Sequence, residues 1–79
     1  MMYEVNLPDL GDDTVTEVVV SCWLVDEGDV VTQGDDLVEV TTDKAAFNVP
    51  SPKSGTLVEI LVSEGDTAGR DDVLCILEL

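Results

Sequence analysis

Apolar and polar residues alternate along this chain in short runs, each ended by glycine, proline or neighbouring acids. Valine and threonine are frequent in the runs, and no segment carries apolar residues at helical spacing, so the pattern predicts an all-β chain. The predicted strands are Tyr3–Leu7, Glu17–Val25, Val30–Val31, Asp36–Thr41, Ala46–Pro50, Gly55–Val62, Thr67–Ala68 and Val73–Leu77. Gly28-Asp29, Gly65-Asp66 and Gly55 are read as structural turns, with Gly28 and Gly65 supplying a positive φ that other residues resist.

Displacing the sequence by 37 positions lays Leu24-Val25-Asp26-Glu27-Gly28-Asp29 on Leu61-Val62-Ser63-Glu64-Gly65-Asp66. Asp35 then meets Asp72 and Leu37 meets Leu74, seven identities over residues 24–40. Upstream, the apolar spacing Val20, Trp23, Val25 recurs as Leu57, Ile60, Val62. That spacing breaks strict alternation once in each copy, which predicts a bulge between Val20 and Trp23 and its repeat between Leu57 and Ile60. Two halves of one design, neither able to bury its apolar face alone, pack about a pseudo-twofold axis. Eight short strands so arranged form a flattened barrel or sandwich of two four-stranded antiparallel sheets.

Composition narrows the chemistry. The chain has 79 residues, one small domain placed at about residues 3–78, without room for a core and a deep cleft together. Eighteen acidic residues against three basic ones give a net charge of −15. Such a surface repels nucleic acid and anionic membranes and favours partners with basic patches. No histidine is present, which removes the commonest general base and the nucleophile arrangements built on it. The acidic pairs Asp12-Asp13, Asp35-Asp36 and Asp71-Asp72 sit beside glycines in expected turns and lack calcium-loop spacing, so neither a catalytic nor a metal site is expected. Cys22 and Cys75 have no metal-ligand spacing and read as packing residues of a reducing compartment. No apolar stretch is long enough to span a bilayer, and no signal or transit segment opens the sequence.

One motif stands out against this background. Thr42-Asp43-Lys44-Ala45 falls between two predicted strands, which puts Lys44 at the tip of a hairpin in a chain with two other basic residues, Lys53 and Arg70. A solitary amine on a fixed turn suits an enzyme that must modify one lysine and no other.

With both half-repeats in view, the chain resembles the lipoyl domain of the acyltransferase component of 2-oxo acid dehydrogenase complexes. The resemblance rests on Leu7-Pro8-Asp9-Leu10-Gly11, Trp23 to Asp29, Thr42-Asp43-Lys44-Ala45, Val49-Pro50-Ser51-Pro52 with Gly55, and Ile60 to Asp66. It implies lipoic acid in amide linkage on Lys44, with Thr42, Asp43 and Ala45 setting the turn that the modifying enzyme reads. It also implies partner recognition by Asp9, Leu10, Gly11, Asp12, Asp13 and Thr41, the loop lying beside the tip. The implied partners are a lipoate ligase or a lipoyl/octanoyl transferase, a 2-oxo acid decarboxylase, the acyltransferase catalytic domain and dihydrolipoamide dehydrogenase. The domain itself is then a non-catalytic carrier, since the hard chemistry belongs to the cofactor. The implied setting is the cytoplasm of a bacterium or archaeon, or the mitochondrial matrix of a eukaryote.

The sequence departs from that pattern in two places. Thr41-Thr42 stands where many relatives have Glu-Thr, and Thr16 to Val20 lacks the Glu-Gly of many pyruvate-type domains, looking slightly closer to branched-chain ones. No linker or acyltransferase domain follows Leu79, so the expectation is either a piece of a longer chain or a free-standing carrier. Three rivals stay open. A biotin carrier displays lysine at the same tip but flanks it with methionines, where this chain has Asp43 and Ala45. The glycine-cleavage carrier is longer. An unmodified interaction module of the same fold would lack any use for the intact Asp-Lys-Ala.

Overall fold

Each of the two sheets is completed by a strand from the other half of the chain. The computed structural model describes residues 1–8 and 16–79. Its strands are β1 (Met2–Asn6), β2 (Glu17–Trp23), β3 (Val30–Val31), β4 (Asp36–Thr41), β5 (Ala46–Pro50), β6 (Gly55–Ile60), β7 (Thr67–Gly69) and β8 (Val73–Glu78). One sheet has the order β1-β8-β6-β3 and the other β5-β4-β2-β7. All pairs are antiparallel. The expected all-β architecture of two four-stranded sheets is therefore observed, with strand ends differing by one or two residues.

The repeat operates at the level of single hydrogen bonds. Leu24 N–H donates to Leu37 C=O (2.8 Å) and Leu61 N–H to Leu74 C=O (2.9 Å). Across the axis, Gly28 N–H donates to Leu57 C=O (2.6 Å), and its counterpart Gly65 N–H donates to Val20 C=O (2.8 Å). Counterpart strands lie in opposite sheets: β2 and β6, β4 and β8, β5 and β1, β3 and β7. The short strands β3 and β7 pair with β6 and β2 respectively, so each half lends its shortest strand to the other.

Among the described residues four bulges bend the long strands, and they come in symmetric pairs. Ser21 is the extra residue in β2 and Val58 in β6, as the broken alternation predicts. A second pair, at Leu37 in β4 and Leu74 in β8, is not foreseen by that spacing. Its signal is the consecutive apolar pair, Leu37-Val38 and Leu74-Cys75, of which all four residues are buried. An extra residue is what lets two neighbours in sequence share one face of a sheet.

The interior is aliphatic. Val20, Val31, Leu37, Val38 and Val40 from one half meet their counterparts Leu57, Ala68, Leu74, Cys75 and Leu77 from the other. Burying each such leucine or valine stabilises the fold by roughly 1.5–3 kcal/mol. Trp23 closes the seam, its indole N–H donating to Val62 C=O (2.8 Å).

Gly28 and Gly65 have φ of 96° and 91°, in agreement with their reading as turn residues. Gly55 is different: it opens β6, and a Cβ there would lie 2.5 Å from the Glu78 carbonyl oxygen. It is a close-approach residue between β6 and β8, and its reading as a turn residue is corrected. Cys75 is a core residue as expected, but Cys22 is exposed beside the β2 bulge and does not pack inside. The bulge is the reason, because it turns the Ser21-Cys22 segment outward.

Candidate attachment site at the β4–β5 tip

The lysine turn grows out of a stem rooted in the core. β4 and β5 pair through Val38↔Val49, Glu39↔Asn48, Val40↔Phe47 and Thr41↔Ala46, and the turn Thr42 to Ala45 follows directly. Val38, Val40 and Val49 are fully buried, and Phe47 packs against the same cluster. The stem of the hairpin is thus anchored in aliphatic side chains while its tip stands in solvent. Asp43, Lys44 and Ala45 are all exposed.

Thr42 does most to fix the turn. Its N–H donates to Ala45 C=O (2.8 Å). Its hydroxyl oxygen accepts from Lys44 N–H (3.1 Å) and Ala45 N–H (3.2 Å) and also reaches Ala45 C=O (3.3 Å). One side chain therefore satisfies two backbone donors of the turn, where the ladder has no partner to offer them. Neither Asp43 nor Lys44 has a positive φ, so the apex needs no glycine. The family resemblance gives the turn-setting role to Thr42, Asp43 and Ala45 together. In the structure the hydroxyl does this, and Ala45 contributes only through its backbone. No hydrogen bond of the Asp43 side chain is formed among the described residues.

Lys44 therefore presents an exposed amine on a turn that the Thr42 side chain holds. Amide attachment to that nitrogen removes a surface charge and requires no change in the fold. Lys53 lies on a separate turn, where its carbonyl accepts from the Ser51 hydroxyl (2.6 Å). Arg70 stands between β7 and β8. Thr41 is half-buried at the end of β4, paired with Val19 on one side and Ala46 on the other. The expected recognition residues Asp9, Leu10, Gly11, Asp12 and Asp13 lie outside the described residues.

Three acids at other turns have structural work. Asp35 Oδ2 accepts from Thr32 N–H (2.9 Å) and its counterpart Asp72 Oδ2 from Gly69 N–H (2.8 Å). Asp29 Oδ2 accepts from Asp26 N–H (2.8 Å). Among the described residues no three ligand-type side chains converge as a metal site would need. Sequence reasoning missed the part played by Glu27 and Glu64. Each reaches across the axis, Glu64 Oε2 accepting from Trp23 N–H and Glu27 Oε2 from Ile60 N–H, both at 2.8 Å. Their identity in the two repeats was the available signal.

The thiols differ in environment. Burial pushes the Cys75 thiol up to about 11. Cys22 is also raised, by partial desolvation first and then by the nearby Glu64 and Glu39 carboxylates.

A two-sheet body with one lysine on a pinned hairpin tip is the architecture of a carrier domain, and the comparisons agree. The family model for biotin/lipoyl attachment domains, described as "Biotin-requiring enzyme", matches residues 3–77. The chain belongs to that biotin/lipoyl family. It is 40% identical over 74 residues to the dihydrolipoyllysine-residue acetyltransferase component of the pyruvate dehydrogenase complex of Staphylococcus epidermidis. It is equally similar to the corresponding component from Staphylococcus aureus. These matches cover 94% of this chain and 17% of each relative, so the chain spans about a sixth of their length. Among solved structures, the lipoyl domain of the 2-oxoglutarate dehydrogenase complex from Azotobacter vinelandii superposes with a TM-score of 0.75 at 25% identity, covering 96% of this chain and 95% of that one. A multi-domain long-chain acyl-CoA carboxylase shares the fold, with a TM-score of 0.78 at 20% identity over 95% of this chain and 7% of its own.

Proposed function

We propose that this chain is a lipoyl carrier domain serving a 2-oxo acid dehydrogenase complex, with lipoate in amide linkage on Lys44. The observation that carries the reading is the Thr42-pinned turn, which holds one exposed lysine clear of the sheet. The likeness to acetyltransferase components and to a free lipoyl domain supports lipoate over biotin, as do the flanking Asp43 and Ala45 in place of methionines. Bound lipoate supplies a dithiolane that accepts an acyl group together with electrons. The chain's own residues supply attachment, orientation and recognition. β4 and β5 project Lys44 away from the body, and tethering there gives the arm a high effective concentration at any enzyme that docks on the tip.

The partners under this reading are a lipoate ligase or lipoyl/octanoyl transferase, a 2-oxo acid decarboxylase, an acyltransferase domain and dihydrolipoamide dehydrogenase. The names of the similar acetyltransferase components favour a pyruvate-type complex. Asp9 to Asp13 and Thr41 are the residues that this reading assigns to partner recognition. The setting is the bacterial cytoplasm, in keeping with the organisms of these relatives.

Incubation with lipoate ligase, followed by peptide mass spectrometry, places the whole adduct on Lys44. Adduct on Lys53, or efficient attachment of biotin by a biotin ligase, overturns the reading. The lipoylated chain is then compared with free lipoamide as acyl acceptor for several 2-oxo acid decarboxylases. One enzyme prefers the domain strongly, and added salt reduces the preference because attraction to a −15 surface is screened within about 8–10 Å.

A further inference from the structure

The pseudo-twofold axis equates the backbones of the two sheets but not their outer faces. On the lysine-bearing sheet, one row across the strands runs Asn48, Glu39, Cys22, an acid between two uncharged residues. The matching row on the other sheet runs Glu4, Ile76, Glu59, an apolar residue between two acids. The fold does not require this inversion, because the register is the same in both. Ile76 is only half-buried, and beside it stand Met2, 60% exposed, and Val58, turned outward by the β6 bulge. Together with Glu4, Glu27 and Glu59 these three line a shallow depression.

We propose that this depression on the solvent face of the β1-β8-β6-β3 sheet is a second docking surface, which takes a basic segment of a partner protein bearing alternating aliphatic side chains. The spacing of charge selects that chemistry. Ile76, Met2 and Val58 offer an apolar floor for aliphatic side chains and for the methylene stems of lysine or arginine. Glu4 and Glu59 flank that floor from the two neighbouring strands, and no ion pair is made by either among the described residues. A strand-like segment presenting cations at both edges and aliphatic groups between them meets the row in register. A second copy of this chain is disfavoured by its −15 charge, and so is an anionic lipid surface. The surface uses neither Lys44 nor its turn and stands independently of the carrier reading.

The test is a titration of the isotope-labelled chain, followed by amide NMR shifts, with a short peptide alternating lysine and valine. The expected perturbations centre on Glu4, Val58, Glu59 and Ile76. Glu4→Gln with Glu59→Gln lowers affinity at least tenfold, and Ile76→Thr does likewise at constant charge. Glu39→Gln, on the opposite sheet, leaves affinity within twofold. A peptide alternating lysine with serine binds at least tenfold more weakly to the wild-type chain. Perturbations centred on the lysine tip or spread over the whole surface overturn the proposal, as does equal weakening by Glu39→Gln. Concentration-dependent perturbation of the same face without peptide also overturns it, by showing a second copy as the occupant. Unchanged thermal melting of the variants excludes loss of fold, since all the substituted positions face solvent.

Discussion

The Glu64 carboxylate spans 41 positions of sequence to accept a hydrogen bond from the Trp23 amide at 2.8 Å. Glu27 makes the symmetric bond to Ile60, also at 2.8 Å, so each repeat clamps the bulged strand end of the other. Removing either carboxylate strands a backbone donor beside the seam. Glu27→Ala and Glu64→Ala should each cost about 1 kcal/mol, and by similar amounts, as measured by urea denaturation. Only Glu64→Ala should also lower the Cys22 pKa, because Glu64 and not Glu27 acts on that thiol. Alkylation of Cys22 at neutral pH should therefore speed up in Glu64→Ala alone.

Thr42→Val keeps the shape of the side chain and deletes its hydroxyl. The Lys44 and Ala45 amides then lose their acceptor, and the apex loosens while the buried stem holds. Stability should fall by about 1 kcal/mol, and the initial rate of ligase modification should drop severalfold. Thr42→Ser restores the acceptor and should recover most of both. A rate unchanged in Thr42→Val means the ligase reads an exposed lysine rather than a fixed turn.

Exchanging Asp43 and Lys44 tests position directly. Neither side chain has a structural bond at the apex, so melting should be unchanged. Modification should nevertheless fall sharply, since moving a residue by one position redirects its side chain. Intact mass of the exchanged chain after ligase treatment gives the answer.

The glycines should separate into two classes. Gly55→Ala drives a methyl group into the Glu78 carbonyl, and parting β6 from β8 should cost about 2–3 kcal/mol. Gly28→Ala and Gly65→Ala meet no neighbouring atom and carry only the strain of a positive φ, about 1–2 kcal/mol each. Denaturation midpoints of the three variants rank them.

Cys75 makes alkaline stability predictable in sign. Its thiol is raised from 9.0 to about 11 in the folded chain, so the folded state favours the protonated form. The associated stability is fully present below pH 9 and is lost as pH climbs toward 11, a decline of roughly 2 kcal/mol. Thermal melts between pH 8 and 11 should show the decline, and Cys75→Val should flatten it.

Much of this molecule is legible in its sequence. The 37-residue displacement and the alternation of apolar residues locate all eight strands, the first pair of bulges and the hairpin that carries Lys44. What alternation cannot report is which strand pairs with which, so the exchange of β3 and β7 between halves was not visible. Leu37-Val38 and Leu74-Cys75 did mark the second pair of bulges, as breaks in alternation too brief to separate from ordinary variation. Glu27 and Glu64 act over 33 and 41 positions, and no local pattern encodes bonds of that reach. Cys22 was misplaced because burial follows residue type only on average, and a bulge decides its direction.

The exchange of short strands makes neither half of the chain a body in its own right. Sheet β5-β4-β2-β7, from which the lysine turn projects, lacks an edge until β7 arrives from the far end of the sequence. A chain that is truncated, kinetically trapped or half-made holds Lys44 on an unfinished platform. An enzyme that accepts only the pinned turn thereby inspects the entire fold through four residues. Under the proposed carrier function, attachment at Lys44 would report completion of the fold, and the cofactor would be withheld from molecules unable to use it.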